Sequence, residues 1–104
     1  MHARHATMAR MTYDIRNNEQ KSRYETTVDG HTAFAAYELD GPRRIVFTHT
    51  DVPEALGGRG IAGAIAKYAL DDARARNLTV VANCPFVAGY LEKHPEYEDL
   101  LAQN

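Results

Sequence analysis

The chain has 104 residues, 44% of them apolar and 25% charged, which is the composition of one small globular domain. Its formal net charge of −2 argues against a nucleic-acid module held by charge, and no apolar run approaches the ~20 residues of a membrane-spanning helix. A single cysteine excludes an internal disulfide framework, and the His and Cys residues lack zinc-type spacing, so we expect no metal and a reducing, cytoplasmic setting.

The N-terminal half is predicted to form four strands after a short extension. Residues 1–11 lack the apolar core of a secretory signal and are predicted to be a disordered extension, which leaves residues 12–104 as one domain. Alternating apolar and polar residues, β-branched side chains and the turn signal Asp29-Gly30 predict four successive strands joined by tight turns. The strands are residues 12–17, 23–28, 31–39 and 43–50. This order predicts a four-stranded antiparallel meander.

The second half changes to helical periodicity. Apolar residues recur every three to four positions from residue 60 to 77, where Asn77 is predicted to end the helix. The apolar run 78–83 predicts a fifth strand, which a right-handed crossover places parallel to the fourth. Residues 85–94 are predicted to form a C-terminal helix, and residues 96–103 can add one short turn or helix. The order ββββαβα predicts an α+β fold with a mixed sheet.

A glycine-rich turn lies between the fourth strand and the first helix. Gly57, Gly58 and Gly60 come directly before the first helical residues. Glycine costs stability unless the backbone needs an unusual dihedral angle or a close approach. The unpaired N–H groups and the helix dipole make such a junction a potential site for phosphate. The spacing is neither a Walker A loop nor GxGxxG, and a tight turn without a ligand is nearly as compatible with the bare pattern.

The surroundings of this turn resemble the GNAT superfamily of N-acetyltransferases. In that superfamily a Q/R-x-x-G-x-G/A loop after the fourth strand cradles the pyrophosphate of acetyl-CoA, and Gly57-Gly58-Arg59-Gly60-Ile61-Ala62 occupies the same frame. Gly60 and Ala62 match the motif, whereas Gly57 stands where Gln or Arg is expected, so Arg59 could supply the charge instead. Many GNAT enzymes also carry Asn followed seven residues later by Tyr; here these residues are Asn83 and Tyr90, which the resemblance assigns to the cofactor site.

The longer passage is similar to a small, minimal GNAT-like subfamily with the motifs HT-x-VP, CP-[YF]-V and a terminal HPEY. The resemblance runs from Thr12 to Leu101 and implies a minimal GNAT-like fold. It also implies acetyl-CoA, or coenzyme A, as cosubstrate. The pantetheine arm would lie along residues 49–52, where Thr50 and Val52 would contact it.

The acceptor side is expected to be trimmed. Larger GNAT enzymes have two helices between their first two strands and two strands after the last helix, and we expect neither here. A shallow, open acceptor side favours an exposed amine on a protein or peptide, or a small polyamine-like molecule. The expected partners are therefore acetyl-CoA and an amine, with no nucleic acid and no membrane, and the expected state is a monomer or weak dimer.

Three side chains are candidates for the chemistry of acetyl transfer. Tyr90 would protonate the departing thiolate, unless it is simply packed in the core. Cys84 could form a covalent acetyl-enzyme, although a buried small hydrophobe is the commoner role of a lone cysteine. Strand alternation places His49 on one face with Ile45 and Phe47, where it could act as a base or merely bond to backbone. The leading function is an N-acetyltransferase; a catalytically silent CoA- or acyl-CoA-binding module and a ligand-free scaffold are the alternatives.

Overall fold

The structure, a computed structural model, describes residues 13–101, so the predicted extension at residues 1–11 lies outside the described residues. Within this range the chain forms a five-stranded sheet and two α-helices, which confirms the predicted α+β fold. The strands follow one another across the sheet and are antiparallel except for the parallel pair of the fourth and fifth. The elements are β1 (Arg16–Asn18), β2 (Arg23–Val28), β3 (His31–Leu39), β4 (Arg44–Asp51), α1 (Ile61–Ala75), β5 (Thr79–Ala82) and α2 (Pro85–Lys93), with 3₁₀ segments at Glu54–Leu56 and Pro95–Leu100.

Two boundaries follow directly from local chemistry. Asp29 and Gly30 join β2 to β3 with φ values of 51° and 80°, the left-handed pair that a two-residue type I′ hairpin turn requires. Asn77, with φ 60°, ends α1 as predicted. The Leu78 amide then donates to the Ala73 carbonyl oxygen at 2.9 Å, which is the long bond of a Schellman motif.

The predicted first strand is wrong in its bounds. β1 contains only three residues, and the segment from Tyr13 to Ile15 lies outside it. The Ile15 amide bonds to the Tyr13 carbonyl oxygen at 3.0 Å, and the Thr26 hydroxyl donates to the Asp14 carbonyl oxygen at 2.9 Å, so local and side-chain bonds replace a strand ladder here. Tyr13 and Ile15 still pack against the core, which explains why they alternate with polar residues.

One face of the sheet carries the core. Cross-strand partners on this face are buried together, and α1 and α2 add apolar side chains to the same cluster. In α1, Ile65 and Leu70 are both 0% exposed, and burial stabilises each by about 1.5–3 kcal/mol. Within residues 13–101 no helix is long and apolar enough to cross a membrane. The buried sheet residues are Tyr24, Thr26, Ala33, Ala35, Tyr37, Ile45, Phe47 and Val80.

A β-bulge in β4 overturns the predicted orientation of His49. Tyr37 pairs with Phe47, but the preceding residue, Ala36, pairs with His49, so Thr48 is an extra residue in β4. The alternation of side chains is therefore shifted by one residue beyond Phe47. His49 lies on the opposite face from Phe47, not on the same face, and it is exposed there.

Beyond the bulge, β4 and β5 separate. Their parallel pairing ends at Phe47 and Ala82, and the last backbone bond runs from the Asn83 amide to the Phe47 carbonyl oxygen at 3.0 Å. β4 continues to Asp51 paired with β3. A gap therefore opens between the C-terminal ends of the two parallel strands, beside the start of α2.

Candidate functional site

The glycine-rich turn has the unusual backbone that its sequence predicts. Gly58 and Gly60 have φ values of +78° and +72°, which L-residues with side chains rarely adopt. Gly57 has an ordinary φ of −60°, but a Cβ there would lie 3.3 Å from the carbonyl oxygen of Glu54. A positive φ thus favours glycine at positions 58 and 60, and a close backbone approach favours it at position 57.

The first turn of α1 presents free donors. Gly60, which precedes the helix, has no side chain to cap it, and the first turn contains no acidic residue. The first intrahelical bond runs from the Ala64 amide to the Gly60 carbonyl oxygen, so the amides of residues 61–63 have no acceptor within the helix. These amides and the helix dipole give the turn a positive potential that suits an anion.

A cavity of about 390 Å³ opens directly over this turn. Four of the nine residues that line it are glycines, which expose backbone, and the other five contribute apolar side chains. It brings together Val52, Gly57, Gly58, Gly60, Ile61 and Ala62 from the predicted site and adds Leu56, Gly63 and Phe86, which the sequence motif does not indicate. Arg59 does not line this cavity; its guanidinium lies 2.9 Å from the Asp29 carboxylate.

Cys84 and Thr50 meet at the gap between β4 and β5. The Thr50 hydroxyl lies 3.2 Å from the Cys84 sulfur, on the face of the sheet that carries the core. Cys84 is 2% exposed and stands immediately before α2. His49 faces the other side of the sheet, where its ring meets the edge of Phe34 with centroids 5.5 Å apart. The bulge therefore separates His49 from Cys84, and the two do not form a Cys–His pair.

Tyr90 lies on α2, facing the first turns of α1. Its ring stacks on His94 with centroids 4.0 Å apart, and a Cβ at Gly63 would lie 3.9 Å from it. Burial raises the pKa of Tyr90 above its usual value, and nearby Glu96 adds to this effect while Lys67 opposes it. The phenol therefore keeps its proton at neutral pH and is a weaker acid than a free tyrosine.

Asn83 is exposed at the end of β5, and its amide forms the last bond between the two parallel strands. The cavity over the glycine turn is not lined by Asn83, Thr50 or Tyr90. Tyr90 instead borders a smaller cavity of about 210 Å³ together with Phe86, which lines both cavities. Phe86 is therefore the side chain that joins the two parts of the predicted site.

The sequence and the fold are similar to those of known proteins. A sequence model described as GCN5-related N-acetyl-transferase, Acetyltransf_CG, matches residues 23–100. The chain belongs to this GCN5-related family. Protein NATD1 of Mus musculus is 31% identical to it over 83 residues, covering 78% of this chain and 76% of that protein. Protein NATD1 of Danio rerio is 30% identical over 94 residues, covering 88% and 84%.

A solved structure extends the likeness to three dimensions. The solution NMR structure of a GCN5-like protein of Staphylococcus aureus, a candidate N-acetyltransferase, superposes on this fold with a TM-score of 0.69. The sequences are 26% identical, and the superposition covers 88% of this chain and 90% of the other. The five-stranded sheet with a parallel β4–β5 pair is therefore a GCN5-related domain.

This GCN5-related domain has a further cleft away from the glycine turn. It measures about 370 Å³ and uses a different side of α2 from the one that carries Phe86 and Tyr90. None of the residues predicted for the coenzyme or the chemistry lines it. Its walls are Ala82, Ala88, Leu91, Glu92, Pro95, Glu98 and Leu101.

Proposed function

We propose that the protein is an acetyl-CoA-dependent N-acetyltransferase whose glycine turn binds the pyrophosphate of acetyl-CoA. The observation that carries the proposal is the cavity over the turn, which four glycines line at the start of an uncapped helix. A Cβ built at Gly58 or Gly60 would meet no protein atom within 4 Å, so the space before the loop is open to a ligand. The free amides of residues 61–63 and the dipole of α1 are the groups that would hold the phosphates.

The gap between β4 and β5 supports a position for the pantetheine arm. Residues 49–52 of β4 and the following turn lie beyond the last β4–β5 bond, so their backbone groups on that side are available to a ligand amide. Val52 already lines the cavity over the glycine turn, and Thr50 reaches the gap beside Cys84. An arm laid along this path would bring the thioester to the start of α2. When bound, acetyl-CoA supplies the acyl group as a reactive thioester.

Direct transfer is the mechanism that the geometry favours. The amine nitrogen attacks the thioester carbonyl carbon, the carbon–sulfur bond breaks, and the thiolate takes up a proton. Tyr90 is the proposed donor, because its ring lies beside Gly63, which lines the cavity over the glycine turn; burial raises its pKa, so the phenol is protonated but is a weaker acid than a free tyrosine. His49 is the proposed base, because it is exposed on the sheet face opposite the core and could take the amine proton there.

Covalent transfer through Cys84 is the competing mechanism. It would need a base to remove the thiol proton, and Thr50 is the polar side chain closest to the sulfur, at 3.2 Å. A threonine hydroxyl is far too weak an acid–base group to serve alone, and His49 lies on the other face of the sheet. These positions favour direct transfer.

A catalytically silent CoA- or acyl-CoA-binding module is the second candidate function. The observation in its favour is the face that carries His49, where the side chains of β2 and β3 are tied to one another. Arg23 lies 4.4 Å from the Phe34 ring centroid and bridges Glu25 at 2.6 Å, so these charged groups are already engaged with neighbouring side chains. A monomer or weak dimer in the cytoplasm, acting on an exposed protein, peptide or small amine, remains part of the main proposal.

Two measurements separate these functions. Acetyl-CoA should raise the Tm of the protein, because a ligand that binds only the native state stabilises it. Release of free CoA thiol in the presence of a panel of amines, including polyamines and lysine peptides, would then support the transferase. Binding without thiol release would favour the silent module, and no rise in Tm together with no calorimetric heat would refute both.

A further inference from the structure

The glycine turn is held from outside by side chains of two other segments. The Tyr13 hydroxyl donates a hydrogen bond of 2.8 Å to the carbonyl oxygen of Arg59, the residue between Gly58 and Gly60. The Arg59 guanidinium donates a hydrogen bond of 2.9 Å to the Asp29 carboxylate in the β2–β3 turn. The segment before β1 and the β2–β3 hairpin therefore both hold the loop through Arg59.

Arg59 is directed away from the space in which a ligand would lie. The residues on both sides of it, Gly58 and Gly60, line the cavity over the turn, whereas Arg59 does not. Its side chain and that of Asp29 are 44% and 70% exposed, and exposed ion pairs contribute little to global stability. The effect of these contacts is therefore expected at the loop itself.

We propose that Tyr13, Asp29 and Arg59 form a clamp that keeps residues 57–62 in the conformation that binds the ligand's pyrophosphate. The identity of that ligand rests on the proposed function. In this arrangement Arg59 is a positioning residue that acts through the loop backbone, and it does not contact phosphate.

The glycines explain why such a clamp is needed. Gly58 and Gly60 must both keep a positive φ, and a glycine that is not held explores other conformations readily. When the binding-competent fraction of a loop falls, the apparent Kd rises in inverse proportion. A saturating ligand restores the competent conformation, so the maximal rate is unaffected. Loss of the clamp should therefore raise the KM for acetyl-CoA and leave kcat unchanged.

Two conservative substitutions test the clamp. Tyr13→Phe removes one hydroxyl, and Asp29→Asn removes one charge. Each should weaken acetyl-CoA binding about three- to tenfold, the amount that one hydrogen bond contributes. Each should also speed hydrogen exchange of the Gly57 and Ala64 amides, which donate to the carbonyl oxygens of Glu54 and Gly60 at the two ends of the turn, by a similar factor in the free protein.

A double-substitution cycle separates a clamp from a direct phosphate contact. In the clamp, Arg59→Gln combined with Asp29→Asn should bind acetyl-CoA no more weakly than Arg59→Gln alone, because both changes remove the same contact. If Arg59 instead contacted phosphate, Asp29→Asn would release it for the ligand and tighten binding. The sign of the Asp29→Asn effect therefore decides between the two roles.

The chain offers a matched control for each substitution. Arg74 and Asp99 form an ion pair of 2.6 Å with similar exposure at the other end of α1, so Asp99→Asn removes a comparable contact. Tyr37→Phe removes a tyrosine hydroxyl that donates a hydrogen bond of 2.6 Å to Asn17, and Tyr37 does not line the cavity over the loop. Both controls should leave the acetyl-CoA Kd and the loop exchange rates unchanged.

The outcomes distinguish the clamp from the function on which it rests. If the wild-type protein gives no binding signal with acetyl-CoA, the proposed function fails, and the ligand assigned to the clamp fails with it. The hydrogen-exchange rates at the turn still report whether the loop is held. If the wild type binds, and Asp29→Asn binds as tightly or more tightly, the clamp alone is refuted. It is equally refuted if Tyr13→Phe lowers the Tm but changes neither binding nor loop exchange.

Discussion

Gly60→Val should abolish acetyl-CoA binding while the protein still folds. Gly60 has a φ of +72°, and placing a side chain in the left-handed region costs about 1–3 kcal/mol. A Cβ there meets no protein atom within 4 Å, so a clash at that atom does not add to this cost. For a domain of this size the Tm should fall by roughly 5–20 °C. The added methyl groups would occupy the space before the loop and remove two or more hydrogen bonds to phosphate, so the Kd should rise more than about 100-fold.

Gly41→Val is the matched control. Gly41 has a φ of +77° and open space around its Cβ position, but it lies in the turn between β3 and β4 and lines none of the cavities at the glycine turn. The Tm of both variants should fall by a similar amount in thermal denaturation. Only Gly60→Val should show no heat of acetyl-CoA binding in calorimetry. The reasoning is wrong if Gly60→Val binds like the wild type, or if Gly41→Val loses binding to the same extent.

Three further predictions concern the chemistry and the pH dependence. Tyr90→Phe should lower kcat by about a hundred- to ten-thousand-fold through loss of the proton donor, whereas Cys84→Ala should cost only modest activity. A larger loss of kcat in Cys84→Ala than in Tyr90→Phe, with a hydroxylamine-sensitive acetyl adduct on the cysteine by mass spectrometry, would establish covalent transfer. His49→Ala should lower kcat for amines while leaving the Kd of acetyl-CoA unchanged, and a large rise in that Kd would contradict its position on the far face of the sheet. Partial burial acts to raise the pKa of Asp71, but hydrogen bonds from Tyr97 and Lys67 lower it below its usual value. The stability that these contacts provide is therefore present at neutral pH and is lost as the pH falls below about 4. Tyr97→Phe should flatten that acid-side loss of stability in urea unfolding at a series of pH values, and an unchanged slope would remove Asp71 as its source.

Local chemistry predicts some parts of this fold correctly because the cause lies within a few residues. The Asp29-Gly30 turn and the Asn77 helix end both depend on which residues tolerate a positive φ, and that tolerance can be read from the residue type. The glycine turn before α1 is predictable for the same reason. A family resemblance then adds what local chemistry lacks, namely the class of ligand.

Other parts depend on contacts between distant segments. The side of the sheet on which His49 lies is set by a bulge, which exists only because β3 pairs with β4 in a particular register. The bond from Tyr13 to Arg59 joins residues 46 positions apart, and no short pattern marks it. Phe86 lines the cavity because α2 begins beside α1, so its role is also a consequence of packing.

The most direct test of the central claim is a titration of the ¹⁵N-labelled protein with acetyl-CoA, followed by NMR of the backbone amides. The account predicts that the amides of residues 58–62 shift strongly and saturate together with those of residues 49–52, because the pyrophosphate and the pantetheine arm bind along one path. Saturable shifts confined to other residues, such as those lining the cleft of Ala82 and Leu91, would contradict it, as would the absence of any shift at millimolar acetyl-CoA.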